Sequence, residues 1–195
     1  VAAILGACTF TATETMYSLF TEIPRLGGFN TPQDIVIVQR GETLNESEII
    51  TKVKDILYKN NIKIEQLHQI TGVVVQRGED EFFAISNSDY NQLAKTAEKA
   101  SVNVNQGEVI YNYPYEFFQT DKKIKMADWD ELDLKINGVA KKFELKEEIH
   151  GGAMSLTKVG YFDALIFNDI DFEQIAKGIS KKDLVIYNGV NLDNF

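Results

Sequence analysis

An Asn-Gly pair at positions 137 and 138, set between two alternating runs, constrains what this chain can fold into more than any other feature. Leu132, Leu134 and Ile136 alternate with polar residues before it, and Phe143 and Leu145 continue the apolar pattern after it. A two-residue hairpin turn needs positive φ at its central positions, which Asn and Gly tolerate best. Alternation at period two is the mark of a strand with one buried face. The segment therefore predicts a β-hairpin, and the rest of the chain must supply a sheet for it to join.

Further strands are legible. Gln33–Val38 (QDIVIV) is β-branched, Ile62, Ile64, Leu67 and Ile70 mark a strand region, and Val73–Val75 with Phe82–Ile85 flank the turn Arg77-Gly78-Glu79-Asp80. Glu108–Asn112, Lys122–Met126, Phe162–Phe167 and Leu184–Tyr187 complete the set. Three helices are expected between them. Asn45, three residues before Glu48, opens one whose apolar face is Ile49, Ile50, Val53, Ile56 and Leu57. Ser86–Ser88 caps a second from Asp89 to Lys99, and Asp169–Ile179 forms a third. The order predicts an α+β fold with a mixed, mainly antiparallel sheet, three helices and an N-terminal helical stalk. Residues 105–150 are strand-rich and fit a lobe of their own.

The first twenty residues differ from all of this. Val1–Phe20 opens with VAAILGACTF and turns polar through Thr11, Thr13 and Glu14 before Met16, Tyr17, Leu19 and Phe20. It has no positively charged leader or small-residue cleavage site, and its apolar part is shorter than the roughly 20 residues that cross a bilayer. It fits the last turns of a transmembrane helix running into a stalk, or an amphipathic helix packed on the domain's own core. Thr21–Pro32, with Pro24, Gly27, Gly28 and Pro32, reads as the joint to a domain spanning residues 21–195.

Composition narrows function by exclusion. The 195 residues are 44% apolar and 25% charged, the balance of a folded domain. With 29 acidic and 20 basic residues the net charge is −9, which excludes the cationic surface that nucleic-acid binding needs. One cysteine, Cys8, excludes an intrachain disulfide, and its apolar setting disfavours a thiolate. His68 and His150 have no second ligand at metal-binding spacing, and phosphate-loop, dinucleotide and nucleophile-elbow motifs are missing. Neither an enzyme nor a cofactor or metal site is expected.

Three groups of residues remain as candidates for recognition. Asp128, Asp130, Glu131 and Asp133 surround Trp129, while Asp169, Asp171 and Glu173 open a helix. Neither has the full oxygen set and glycine of a calcium loop, and the second suits the positive end of a helix dipole. The third is the aromatic run Tyr111, Tyr113, Tyr115, Phe117 and Phe118, broken by Pro114 and followed by Lys122, Lys123 and Lys125. Alternate rings of this run can face a sheet core. They can also cover the apolar part of a ligand while the amines meet a pyrophosphate. On the second reading Tyr111, Tyr113, Tyr115, Phe118, Lys122, Lys123 and Lys125 form the ligand-binding set.

Ile85–Ala94 reads ISNSDYNQLA, a strand ending in Ile-Ser and running into a Ser-Asp-Tyr-Asn helix start, and FDALIFNDIDFEQIA near the end repeats the pattern. With the apolar start and the order QDIVIV then IITKVKDIL, this resembles the large extracellular domain of FtsX-like ABC-transporter permeases. It is most similar to the bacitracin-efflux and lantibiotic-resistance type of low-GC Gram-positive bacteria. The resemblance implies a cell-membrane permease with this domain on the extracellular face and a separate cytoplasmic ATPase subunit. It implies binding of a cationic antimicrobial peptide, or of the lipid-linked wall precursor that the peptide holds, with signalling to a sensor histidine kinase. A domain that docks the kinase or a wall hydrolase, without touching the drug, is the second expectation.

Overall fold

Eight strands and three helices form the fold, in a computed structural model that describes residues 35–41, 46–113, 127–136, 139–150, 153 and 163–193. The expected stalk, the joint at Thr21–Pro32 and the strand at Lys122–Met126 lie outside the described residues. The strands are β1 Ile35–Arg40, β2 Ile64–Arg77, β3 Asp80–Ser86, β4 Glu108–Tyr113, β5 Glu131–Ile136, β6 Val139–His150, β7 Asp163–Phe167 and β8 Leu184–Leu192. The helices are α1 Glu46–Lys59, α2 Asn87–Thr96 and α3 Asp169–Gly178.

All eight strands join one sheet in the order β1-β8-β2-β3-β7-β4-β6-β5. Only β3 with β7 and β4 with β6 run parallel, so the sheet is mixed and mainly antiparallel. The fold class is α+β. The strand-rich stretch 105–150 contributes β4, β5 and β6 to this same sheet. The hairpin read from Asn137-Gly138 is present, with Ile136 opposite Val139 and Leu132 opposite Phe143.

The strands outrun the apolar patterns that announced them. β2 is one strand of 14 residues, running through Gly72, where any side chain would collide with the Phe83 ring, 2.2 Å from an added Cβ. β6 continues to His150 through a bulge between Leu145 and Glu147, and β8 continues to Leu192 between β1 and β2. At α1 the expected apolar face is too wide. Val53 and Leu57 pack towards Val190 and Leu192 and Ile50, at i−3 and i−7 from them, is buried on the same stripe, while Ile56 sits off it and is 60% exposed.

Two strand–helix units stand side by side. β3 enters α2 and β7 enters α3 in matching register, Ile85 beside Ile166 and Ser86 beside Phe167. Ser86 caps α2 by accepting from the Asp89 amide at 3.0 Å and donating to the Asp89 carboxylate at 2.8 Å. Asn168 caps α3, and Asp169 accepts from both the amide and the hydroxyl of Ser88, tying the two helix starts together. The helices then part. Tyr90, Leu93 and Ala94 of α2 cover one face with Ile70, Phe83 and Ile110, and Ile175 of α3 covers the other with Phe82, Leu134, Phe143 and Phe167.

That second face is concave. The sheet curls until its edge strand β5 lies near β2, and Arg77 of β2 reaches Asp128 just before β5 at 3.1 Å. Trp129, Leu132 and Leu134 fill the inside of the curl against Val73 and Val75.

Candidate functional site

The curl leaves a groove of about 900 Å³ where β5 approaches β2. Its walls are Val74–Arg77 of β2, the turn Gly78–Asp80, residues Asp133–Ile136 of β5, Ile175 and Gly178 at the end of α3, and Ile179, Ser180 and Asp183 after it. Ile136 and Ile179 contribute apolar surface to it, and Leu134 and Ile175 lie buried behind. Four carboxylates, Glu79, Asp80, Asp133 and Asp183, stand in its lining against two cations, Arg77 and Lys135. Arg77 is partly spent: it pairs with Asp128 and lies 5.8 Å over the Trp129 ring. Asp183 meets Arg40 at 3.5 Å, a guanidinium that also holds Glu81 at 3.2 Å and keeps that carboxyl below the usual range. The result is a trough of mixed polar and apolar lining in which carboxylates outnumber cations.

Each wall has a local reason. Gly78 takes φ +63, so Arg77 and Asp80 close a tight turn that projects Glu79 and Asp80. Strict alternation in β5 turns Leu132 and Leu134 inward and leaves Glu131, Asp133 and Lys135 exposed. The acidic group singled out around Trp129 is therefore dispersed. Asp128 pairs with Arg77, Glu131 pairs with Lys142 at 2.8 Å, Trp129 is buried, and only Asp133 enters the groove. Among the described residues no three carboxylates, histidines or cysteines converge to hold a metal ion.

Of the aromatic and lysine set, Tyr115, Phe118, Lys122, Lys123 and Lys125 lie outside the described residues. Tyr111 is 5% exposed and packs edge-on against Phe82 and Trp129, 6.1 and 5.9 Å between ring centres. Its hydroxyl donates to Asp163, a half-buried carboxylate on β7. Burial raises the Asp163 carboxyl, the Tyr111 hydroxyl lowers it, and the nearby charge of Asp80 raises it again. Burial also pushes the Tyr111 phenol upward, with Asp163 adding to the shift. Tyr113 is half-buried and faces the His150 ring at 6.0 Å, and Glu148 accepts from the Ala127 amide at 2.9 Å. Tyr111 and Tyr113 thus belong to a polar and aromatic cluster closing one end of the concave face.

The second acidic group is structural. Asp171, fully buried, binds Lys141 Nζ at 2.6 Å and the Gly107 amide at 2.6 Å, joining α3 to β6 and to the turn before β4. His68 is buried between β2 and α2, with Gln92 at 3.0 Å on Nδ1 and Thr96 at 2.9 Å on Nε2, and burial lowers its pKa. Sequence reasoning did not find the groove. Glu79 and Asp80 read as turn residues and Asp183 as nothing at all, and only the curl brings them beside Asp133. Alternation in β5 was the one available signal.

No protein-family model matches the chain, and no curated protein matches it. A solved structure from Bacillus anthracis, described provisionally as a lipoprotein, is similar at 14% identity. The likeness covers 80% of this chain and 83% of that one with a TM-score of 0.46. At that level the likeness carries no argument about function.

Proposed function

We propose that this chain is the extracellular recognition domain of an FtsX-like ABC-transporter permease, binding a cationic antimicrobial peptide in the groove between β2 and β5. The observation that carries the reading is the groove's make-up: Glu79, Asp80, Asp133 and Asp183 outnumber Arg77 and Lys135, beside some apolar surface from Ile136 and Ile179. A peptide that is both cationic and amphipathic matches such a trough twice over. Its apolar side chains gain by leaving water, at roughly 25 cal/mol per Å² buried. Its charges are drawn in by the carboxylates and by the net charge of −9. A lipid-linked wall precursor carries an anionic pyrophosphate and suits this lining less well, unless the peptide already covers it.

The deciding experiment is a calorimetric titration of the chain with a cationic lantibiotic, and separately with the extracellular part of the partner histidine kinase. Saturable binding of the peptide, weakened in a Glu79→Gln, Asp80→Asn, Asp133→Asn variant, supports the reading. Binding of the kinase part alone replaces it with the docking function.

A further inference from the structure

β5 is the end of the sheet: β6 pairs with it on one side, and among the described residues no strand pairs with it on the other. The direction of its unused backbone groups follows from its neighbour. The Glu144 amide donates to the Gly107 carbonyl at 2.9 Å, towards β4 and away from β5. In an antiparallel ladder, residues directly opposite point their backbone groups either both towards or both away from each other. Glu131, opposite Glu144, therefore aims its N–H and C=O outward, as do Asp133 and Lys135 along the same alternation. Asp133 and Lys135 both line the groove.

Among the described residues the facing wall also lacks a pairing strand beyond Val73, although the turn Lys181–Asp183 packs near it. β8 pairs with β2 only as far as Val73, opposite Leu184, whereas β2 runs on to Arg77. From Val74 onward β2 has β3 on one side and, among the described residues, the groove with Asp183 at its rim on the other. Two strand edges thus look into one trough whose charge is matched to cations.

Resting on the reading that a cationic peptide occupies this groove, we propose that the peptide binds as an added β-strand along β5, hydrogen-bonded to the backbone of Asp133 and Lys135. An extended segment with alternating basic and apolar residues then sends one set of side chains to Ile136 and Ile179 and the other to Glu79, Asp80 and Asp133. Main-chain bonds supply affinity with little demand on sequence, and the pockets and charges supply the preference. The exposed charges of β5 also keep this edge from pairing with a second copy of itself.

The probe is a synthetic octapeptide of alternating Lys and Val. Backbone hydrogen exchange of the chain is followed with and without it, beside its affinity for Lys135→Pro and Lys135→Gln variants. Proline at 135 removes an N–H aimed into the groove and no β5–β6 bond. The expected result is slower exchange at the Asp133 and Lys135 amides by about tenfold or more, and binding about tenfold weaker in Lys135→Pro but not in Lys135→Gln. Should Lys135→Pro unfold, the exchange of the unaltered chain decides alone. Probe binding that the Glu79, Asp80 and Asp133 variant weakens, with the two amides exchanging at their free rate, overturns strand addition and leaves the groove reading standing. No binding at about 1 mM probe overturns both.

Discussion

Replacing Tyr111 by Phe removes one hydroxyl and keeps the ring, so it isolates the bond to Asp163 from the packing around it. The contacts with Phe82, Trp129 and Tyr113, at 6.1, 5.9 and 6.3 Å between ring centres, survive the change. What is lost is a hydrogen bond to a charged group, worth about 1.5–3 kcal/mol when its partner is buried. Asp163 is only half-buried and water replaces part of the bond, which puts the cost at about 1.5–2 kcal/mol at neutral pH. For a domain of this size that lowers Tm by roughly 3–8 °C. The pH dependence has a definite sign. The folded carboxyl is raised above its ordinary value, so stability is lost as pH rises through the interval between the two. The hydroxyl opposes that rise. Phe at 111 therefore lifts the carboxyl further, and the deficit is full above the raised value and shrinks below it. Urea unfolding at pH 7 and pH 4 measures both. A loss under about 0.5 kcal/mol at pH 7, or a deficit that grows in acid, refutes the argument.

Three further outcomes are expected. His68 is held neutral by burial, so stability falls as pH drops from its ordinary value through the lowered one; thermal melts over that range should flatten in His68→Gln. Gly72→Ala sets a methyl against the Phe83 ring and the Ala84 carbonyl, 2.2 and 2.9 Å away, and should cost about 3 kcal/mol in urea unfolding. Asp171→Ala strands the Gly107 amide and leaves Lys141 only its bond to Gln174; because Lys141 is 32% exposed, the cost is nearer about 2 kcal/mol than that of a fully buried pair, and denaturant titration checks it.

The sequence disclosed local structure well and non-local geometry poorly. Asn137-Gly138, the turn at Gly78 and the capping residue Ser86 each act over a few residues, so those hairpins and that helix start were legible, whereas the Asn168 cap was not singled out. Strand ends were not, because β8 owes its run to Leu192 to β1 and β2 on either side rather than to its own alternation. The aromatic run was ambiguous for a related reason. Alternation states that Tyr111 and Tyr113 share a face, but only the curl of the sheet makes that face an interior one. The groove was least legible of all, since its carboxylates come from a turn, an edge strand and the segment after α3, with no spacing in common.

The central claim is that the acidic groove captures cationic peptides through charge, and the association rate of a cationic lantibiotic at several salt concentrations tests it most directly. Exposed charges are screened over about 8 Å at physiological ionic strength. The expected result is an on-rate that falls steeply from low to physiological salt in the unaltered chain. It should be slower, and fall less steeply with salt, once Glu79→Gln, Asp80→Asn and Asp133→Asn are combined. The same rate and the same salt dependence in both proteins would contradict the account.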